Sequence, residues 1–285
     1  MTKTLLSIGH GFSARALAAR LVPQGWTVIG TTRKPEKFDA FRAEGVTPLL
    51  WPADAKAALQ GVTHVLTSAG PDAEGDPVLR NWRDEIADAA PGLDWVGYLS
   101  TTGVYGDQDG GWVDENSPLT PATIRGQRRV AAEQEWRDIP GLPLHIFRLA
   151  GIYGPGRGPF QKLRDGTARR VIKKNQVFSR THVEDIAQVL EASINRPNPG
   201  EVYNVCDDDP APPQDVIACA AELLGLPLPP EEPFETAQMS PMARSFYSDS
   251  KRVRNDRIKN ELGVTLKYPT YRAALEAMLK AEQAS

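Results

Sequence analysis

The chain has 285 residues, 41 % hydrophobic and 24 % charged, with a formal net charge of −3 at pH 7. At this length roughly three quarters of the unfolded surface can be buried, so a full core is available. These figures exclude a disordered tail, a disulfide-stapled miniprotein and a collagen-like repeat, and they suit about two domains or one α/β domain with a smaller lobe.

Up to Tyr105 the sequence alternates strand-like and helix-like segments. Thr4–Ile8 is an apolar run closed by Gly9, and Ala14–Leu21 follows as a helix with Ala16, Leu17 and Leu21 at helical spacing. Trp26–Gly30 is the next β-like run, and Lys37–Ala43 a second, more polar helix. Val46–Trp51, His64–Ser68 and Asp94–Ser100 are further β-rich runs, with an amphipathic helix expected over Pro77–Ala90. Such alternation predicts a parallel sheet covered by helices on both faces.

Gly106–Pro121 reads as a polar, glycine-rich loop, followed by a helix over Thr123–Arg137 and a strand over His145–Leu149. Beyond Gly154 the spacing turns irregular, as expected of a smaller lobe. Asp215–Leu224 and Tyr271–Lys280 are predicted helices, the second capped by Thr270. Leu226–Pro233 is too proline-rich for a helix and is expected as an ordered loop or a sheet edge. No repeat of solenoid period is present.

Two cysteines, Cys206 and Cys219, and four scattered histidines form no metal-ligand spacing, so no metal site is expected. No run approaches the ~20 apolar residues of a membrane span. The apolar stretch at the N-terminus is too short for a signal sequence, so a cytoplasmic location is expected. Charge is uneven: Arg125–Arg180 holds 13 Lys and Arg against 4 Asp and Glu, a balance of +9 that leaves −12 elsewhere. This suits a small anionic ligand better than nucleic acid, which calls for a wider basic footprint. A solvated, charge-decorated helix face accounts for the same composition equally well.

Gly9-His10-Gly11-Phe12-Ser13-Ala14 matches G-x-G-x-x-G/A between the first strand and the first helix. Gly9 permits the turn, Gly11 lets backbone approach a pyrophosphate, and Ala14 keeps helix and strand close. The N–H groups at Phe12 and Ser13 then face the phosphates. An NAD-preferring site places an acid at the end of the second strand. Here Gly30-Thr31-Thr32-Arg33-Lys34 carries none, and Thr32 with Arg33 suits a 2′-phosphate. NADP is therefore expected over NAD. Ala69 and Gly70, after the fourth strand, complete the expected cofactor set.

Several motifs together resemble the extended short-chain dehydrogenase/reductases, the NAD(P)-dependent epimerase/dehydratase family. They are the glycine motif, Ser100-Thr101-Thr102-Gly103-Val104-Tyr105-Gly106, Arg148-Leu-Ala-Gly-Ile-Tyr153-Gly154-Pro155-Gly156, Thr181-His182-Val183-Glu184-Asp185-Ile186-Ala187 and Gly200-Glu201-Val202-Tyr203-Asn204-Val205. The resemblance implies an α/β, Rossmann-type doubly wound parallel sheet over residues 1–154, with a smaller C-terminal substrate lobe mainly in 155–285. Some later strands and helices are expected to return to the first domain. Nucleotide sugars or related carbonyl and hydroxyl compounds are the implied substrates.

One departure stands out. Alignment on Pro118, Pro121, Gly126 and Glu133 puts Arg125 and Arg129 where the family has its Tyr-x-x-x-Lys pair. Arginine stays charged and cannot shuttle a proton. Thr101 matches the family's catalytic Ser/Thr, Arg129 is expected to hold ribose or phosphate, and Arg125 to polarise the substrate. Arg125, Arg129 and Arg157 are expected near the nicotinamide end, with Tyr153 and Arg180 also on the substrate. Phe178 stands where the family often has a diphosphate-binding arginine. Tyr247 and Lys251 form the chain's own Tyr-x-x-x-Lys, on a strand-like, serine-rich segment, and are read as a chance match. Tyr105, His182 and Asp185 are expected to be structural. Two functions stay open: an oxidoreductase or epimerase/dehydratase-like enzyme on a small anion, and a catalytically silent dinucleotide sensor. A homodimer is the open option for self-association.

Overall fold

The computed structural model describes residues 3–284. Strands β1 (Thr4–Ile8), β2 (Thr27–Thr32), β3 (Val46–Leu50), β4 (His64–Thr67) and β5 (Trp95–Thr101) alternate with helices α1 (Phe12–Leu21), α2 (Phe38–Ala43), α3 (Ala55–Leu59) and α4 (Pro77–Ala89). Next come β6 (Trp112–Val113), α5 (Ile124–Arg137), β7 (Leu144–Leu149), β8 (Gly151–Tyr153), α6 (Phe160–Arg164), β9 (Arg170–Ile172) and β10 (Arg180–His182). The chain ends with α7 (Val183–Asn195), β11 (Val202–Val205), α8 (Pro213–Leu224), β12 (Glu231–Pro233), α9 (Pro241–Phe246), β13 (Arg252–Val253), α10 (Asp256–Asn260) and α11 (Tyr271–Ala284).

Seven strands form one parallel sheet in the order β11-β7-β5-β4-β1-β2-β3. The inner strands read as near-continuous apolar runs because helices cover both their faces. On one face Leu17 and Leu21 of α1 meet Ile186, Leu190 and Ile194 of α7 over Val28 and Phe147. On the other, Val78 and Ile86 of α4 and Trp136 of α5 pack on Leu6, Val65, Val96 and Tyr98. The doubly wound sheet is thus as expected, and β11 and α7 are later elements that return to it. Every strand of this sheet points its C-terminal end to one edge, where a parallel α/β sheet takes its ligand.

Local chemistry sets the helix starts at that edge. Asp76 accepts from the N–H groups of Val78 and Leu79 at 2.8 and 3.2 Å, and Thr123 accepts from Gly126 at 3.1 Å. Thr270 caps α11 as expected, accepting from Ala273 at 3.2 Å. The proline-rich segment ends in β12, a short edge strand paired with β9. Between α6, α8 and α11 the lobe has a separate core of Phe160, Leu163, Ala220, Ala274 and Leu275. Among the described residues no helix is long and apolar enough to cross a membrane.

One expectation needs correction. Tyr247–Lys251 is not strand-like: Tyr247 closes α9, whose start Ser240-Pro241 is a capped helix N-terminus. Ala55–Leu59, which the sequence left unassigned, is a short helix capped by Asp54.

Candidate functional site

The glycine turn lies between β1 and α1 and is held from three sides. Gly9 has φ +79°, and a Cβ there would stand 3.1 Å from the Ala69 nitrogen. Its N–H donates to the Thr31 hydroxyl at 2.8 Å, and its carbonyl accepts from the Ser68 hydroxyl. Gly11 is different: its φ is −106°, and an added Cβ would meet only the Gly9 oxygen at 3.7 Å. The protein itself leaves room above Gly11, so a Cβ there would crowd no other part of the fold.

Gly11 also gives α1 an N-cap with no side chain to satisfy its first N–H groups. Phe12, Ser13 and Ala14 therefore open the helix with donors and positive potential unclaimed by a cap. His10 is buried beneath Gly30 with its ring edge-on to Phe41 and its Nε2 unpartnered among the described residues. Burial holds its pKa down at about 4, so it is neutral at pH 7. At the end of β2 the Thr32 hydroxyl accepts from the Lys34 N–H at 3.2 Å. Arg33 is exposed and forms no ion pair with a described residue.

Gly70 faces Arg129, whose Nη2 would be 3.4 Å from a Cβ at that glycine. The guanidinium is fixed by Nη1, which donates to the Leu99 carbonyl at 2.7 Å and to the Tyr98 hydroxyl at 3.0 Å. Thr101 ends β5, and its Oγ1 accepts from the Gly103 N–H at 3.2 Å. One helical turn before Arg129, Arg125 is exposed and lies over the Phe246 ring at 5.5 Å.

Arg157 does not join them. Gly154 and Arg157 exchange backbone hydrogen bonds of 3.0 and 2.9 Å, and this turn sets the guanidinium over Phe12 at 5.8 Å. Its contact is with the glycine turn, whereas Arg125 and Arg129 lie on α5.

Tyr153 is only 8 % exposed and belongs to the lobe core rather than to an open wall. Its ring meets His182 edge-on at 5.4 Å, and burial raises its hydroxyl pKa. Arg180 spends Nη1 on the Phe178 and Ala211 carbonyls, both at 2.9 Å, and burial lowers its pKa. Lys251 is tied to the Gly106 carbonyl at 2.7 Å and to Asp249. Asp185 accepts from the N–H groups of Lys267 and Tyr268 at 2.7 and 3.1 Å, fixing the lobe junction. Among the described residues no three His, Cys, Asp or Glu side chains are placed to hold a metal ion.

Sequence reasoning passed over Asp207, a buried carboxyl beyond β11. Its Oδ2 has no partner among the described residues, and burial pushes its pKa up to about 8. Its acidic neighbours Asp208 and Asp209 were the only signal in the sequence. Since the folded pKa exceeds the unfolded one, this group costs stability as pH rises through the window from about 4 to about 8. Asp207→Asn is expected to gain on the parent by about 1–2 kcal/mol between pH 6.5 and 9, read from urea unfolding. An advantage that does not grow with pH would contradict the assignment.

No family model matches the sequence. A structure described as a functionally unknown conserved protein from Silicibacter pomeroyi DSS is 65 % identical, with a TM-score of 0.96 over 98 % of this chain and 99 % of that one. Protein YeeZ of Escherichia coli K12 is 29 % identical over 283 residues, 94 % of this chain and 97 % of that protein. A human epimerase family protein solved with NADPH is 18 % identical, with a TM-score of 0.78 over 97 % and 99 % of the two chains. At that identity the likeness is one of fold, and the fold is that of the NAD(P)-dependent epimerase/dehydratase proteins.

Proposed function

We propose, for a chain that belongs to one family with the conserved Silicibacter protein and has the extended short-chain dehydrogenase/reductase fold, that it binds NADP and acts as an oxidoreductase on a small anionic substrate. The observation that carries this reading is the uncapped start of α1 beneath the open space at Gly11. Gly9, Phe12, Ser13 and Ala14 complete the phosphate turn, with Arg157 beside it over Phe12. Thr32 and the unpaired Arg33 would take the 2′-phosphate, and Ala69 and Gly70 would flank the ribose next to Arg129.

A bound nicotinamide would supply hydride transfer. Thr101 would orient the reacting oxygen, since its Oγ1 accepts from Gly103 while its O–H donates to no described residue. Arg129 is prefixed by two bonds and keeps donors for ribose or phosphate. Arg125 can polarise an oxygen but cannot donate a proton. Arg180 would extend the positive field over the substrate. The same reading has the protein act in the cytoplasm on a small molecule, without a nucleic-acid or membrane partner, and leaves room for a homodimer.

A second reading, a dinucleotide sensor without chemistry, is favoured by one fact: α5 carries no phenol where the fold's acid/base group would stand. Both readings require the dinucleotide. Gly11→Leu tests it, because its side chain would enter the ligand's space and not the protein's. NADPH affinity by fluorescence titration is expected to fall by more than about a hundredfold, or ~2.7 kcal/mol, with the melting temperature nearly unchanged. Undiminished NADPH binding in that variant would overturn the proposal.

A further inference from the structure

The start of α5 meets α9 at a surface that combines rings and unpaired positive charge. Arg125 stacks over Phe246 and makes no hydrogen bond or ion pair with a described residue. Phe246 is 52 % exposed and Ile124, beside Arg125, is 65 % exposed, although both are large apolar side chains. The next residue, Tyr247, belongs to a rank of three half-buried aromatic rings. Tyr247 stacks on Phe234 at 5.4 Å and meets Phe178 edge-on at 5.6 Å. The Tyr247 hydroxyl has no hydrogen bond to a described residue.

Three more cations flank these rings, and none pairs with a carboxylate among the described residues. Arg244 lies 4.8 Å and Lys173 5.3 Å from the Phe234 ring, and Arg180 lies 5.9 Å from Phe178. Their donors are partly spent. Lys173 bonds the Tyr247 carbonyl, Arg244 the Phe234 and Ala237 carbonyls, and Arg180 those of Phe178 and Ala211. They contribute positive field, while Arg125 alone keeps a whole guanidinium fork free.

One free fork matches one carboxylate, bound through two parallel N–H···O bonds. A diphosphate would call for several such donors. Exposed ring faces beside a cation favour a flat ring over a flexible chain. We propose that the seam between α5 and α9 binds a planar aromatic carboxylate, its acid group on Arg125 and its ring against Phe246. This deepens the oxidoreductase reading above and rests on it for the chemistry that follows binding.

The test is calorimetry of the full chain with 2-naphthoate, with and without NADPH. Naphthoate is expected to bind at least about tenfold more tightly than cyclohexanecarboxylate or 2-naphthylmethanol, which lack the ring's flatness or the charge. Arg125→Gln and Phe246→Ala should each weaken it about tenfold, ~1.4 kcal/mol, and Arg33→Ala should leave it unchanged. Both altered side chains are exposed, so an unchanged melting temperature verifies the fold. Equal binding of the three probes, indifference to Arg125→Gln, or tighter binding of uridine diphosphate than of naphthoate would each overturn the proposal. Naphthoate binding is read directly, so a protein that binds NADPH and not naphthoate refutes the seam alone. Failure to bind NADPH refutes the dinucleotide reading instead.

Discussion

Lowering the pH from 7 to 5 is expected to remove about 5 kcal/mol of folding stability. The cause is that all four histidines are buried: His10, His64, His145 and His182 are 4, 3, 0 and 1 % exposed. Burial lowers each pKa from 6.5 to about 4. Two also use a ring nitrogen as acceptor. His145 Nε2 accepts from the Asn198 N–H at 2.9 Å, and His182 Nδ1 from the Glu184 N–H at 3.3 Å. Protonation removes that lone pair.

The unfolded chain takes up these protons below about 6.5 and the folded chain only near 4. Stability is therefore lost as pH falls through that window, by about 2 kcal/mol per histidine between pH 7 and 5. Asp207 runs the other way, because its raised pKa makes the folded state the better proton binder there. It returns about 2.5–3 kcal/mol over the same interval. The net loss is comparable with the whole stability of a typical domain, about 5–15 kcal/mol. Urea unfolding at pH 7, 6 and 5 checks this. A flat profile would contradict the buried neutral state of these rings.

The second large effect is structural and lies beneath the site. Arg148 on β7 is buried and pairs with Glu133 on α5, Nη2 to Oε2 at 2.8 Å and Nε to Oε1 at 3.2 Å. Its Nη1 donates to the Tyr105 hydroxyl at 3.0 Å, which in turn donates to Asn204 Oδ1 at 2.7 Å. Ser100 donates to Glu133 as well. Removing the cation strands a buried carboxylate, which is far costlier than removing the pair together. Arg148→Met is expected to cost about 3–5 kcal/mol, and adding Glu133→Leu to restore more than half of it. A double variant no more stable than the single one would show that the pair is not what holds β7 against α5.

That network explains why some motif residues were legible and others were not. Tyr105 and Arg148 lie in short motifs, and their structural role follows from the strand ends they join. Six of the seven strands of the central sheet were legible because each is a local apolar run bounded by turn residues, while Val202–Val205 entered only as a motif. The five-residue helix at Ala55 was too short to show a period. Tyr247 looked strand-like for want of apolar spacing, although Ser240-Pro241 upstream carried the helix signal.

The site divides in the same way. The glycine turn is local and could be read from six consecutive residues. Arg157 sits at the same turn, but only because the chain folds back between Gly154 and Arg157 over Phe12. No spacing records that return. Arg125 was placed by alignment, yet its partner Phe246 comes from a helix more than a hundred residues away. The burial of His10 depends on the absence of a side chain at Gly30, across the strand.

This chain is expected to hold a dinucleotide phosphorylated on its adenosine ribose, with Arg33 as the deciding residue. Isothermal calorimetry with NADPH and NADH, on the parent and on Arg33→Ala, tests it most directly. The parent is expected to prefer NADPH by about ten- to a hundredfold, the worth of one charge-assisted contact of roughly 1.5–3 kcal/mol. Arg33→Ala should erase most of that preference while leaving NADH affinity unchanged. Equal affinity of the parent for both dinucleotides, or a preference that survives Arg33→Ala, would contradict the account.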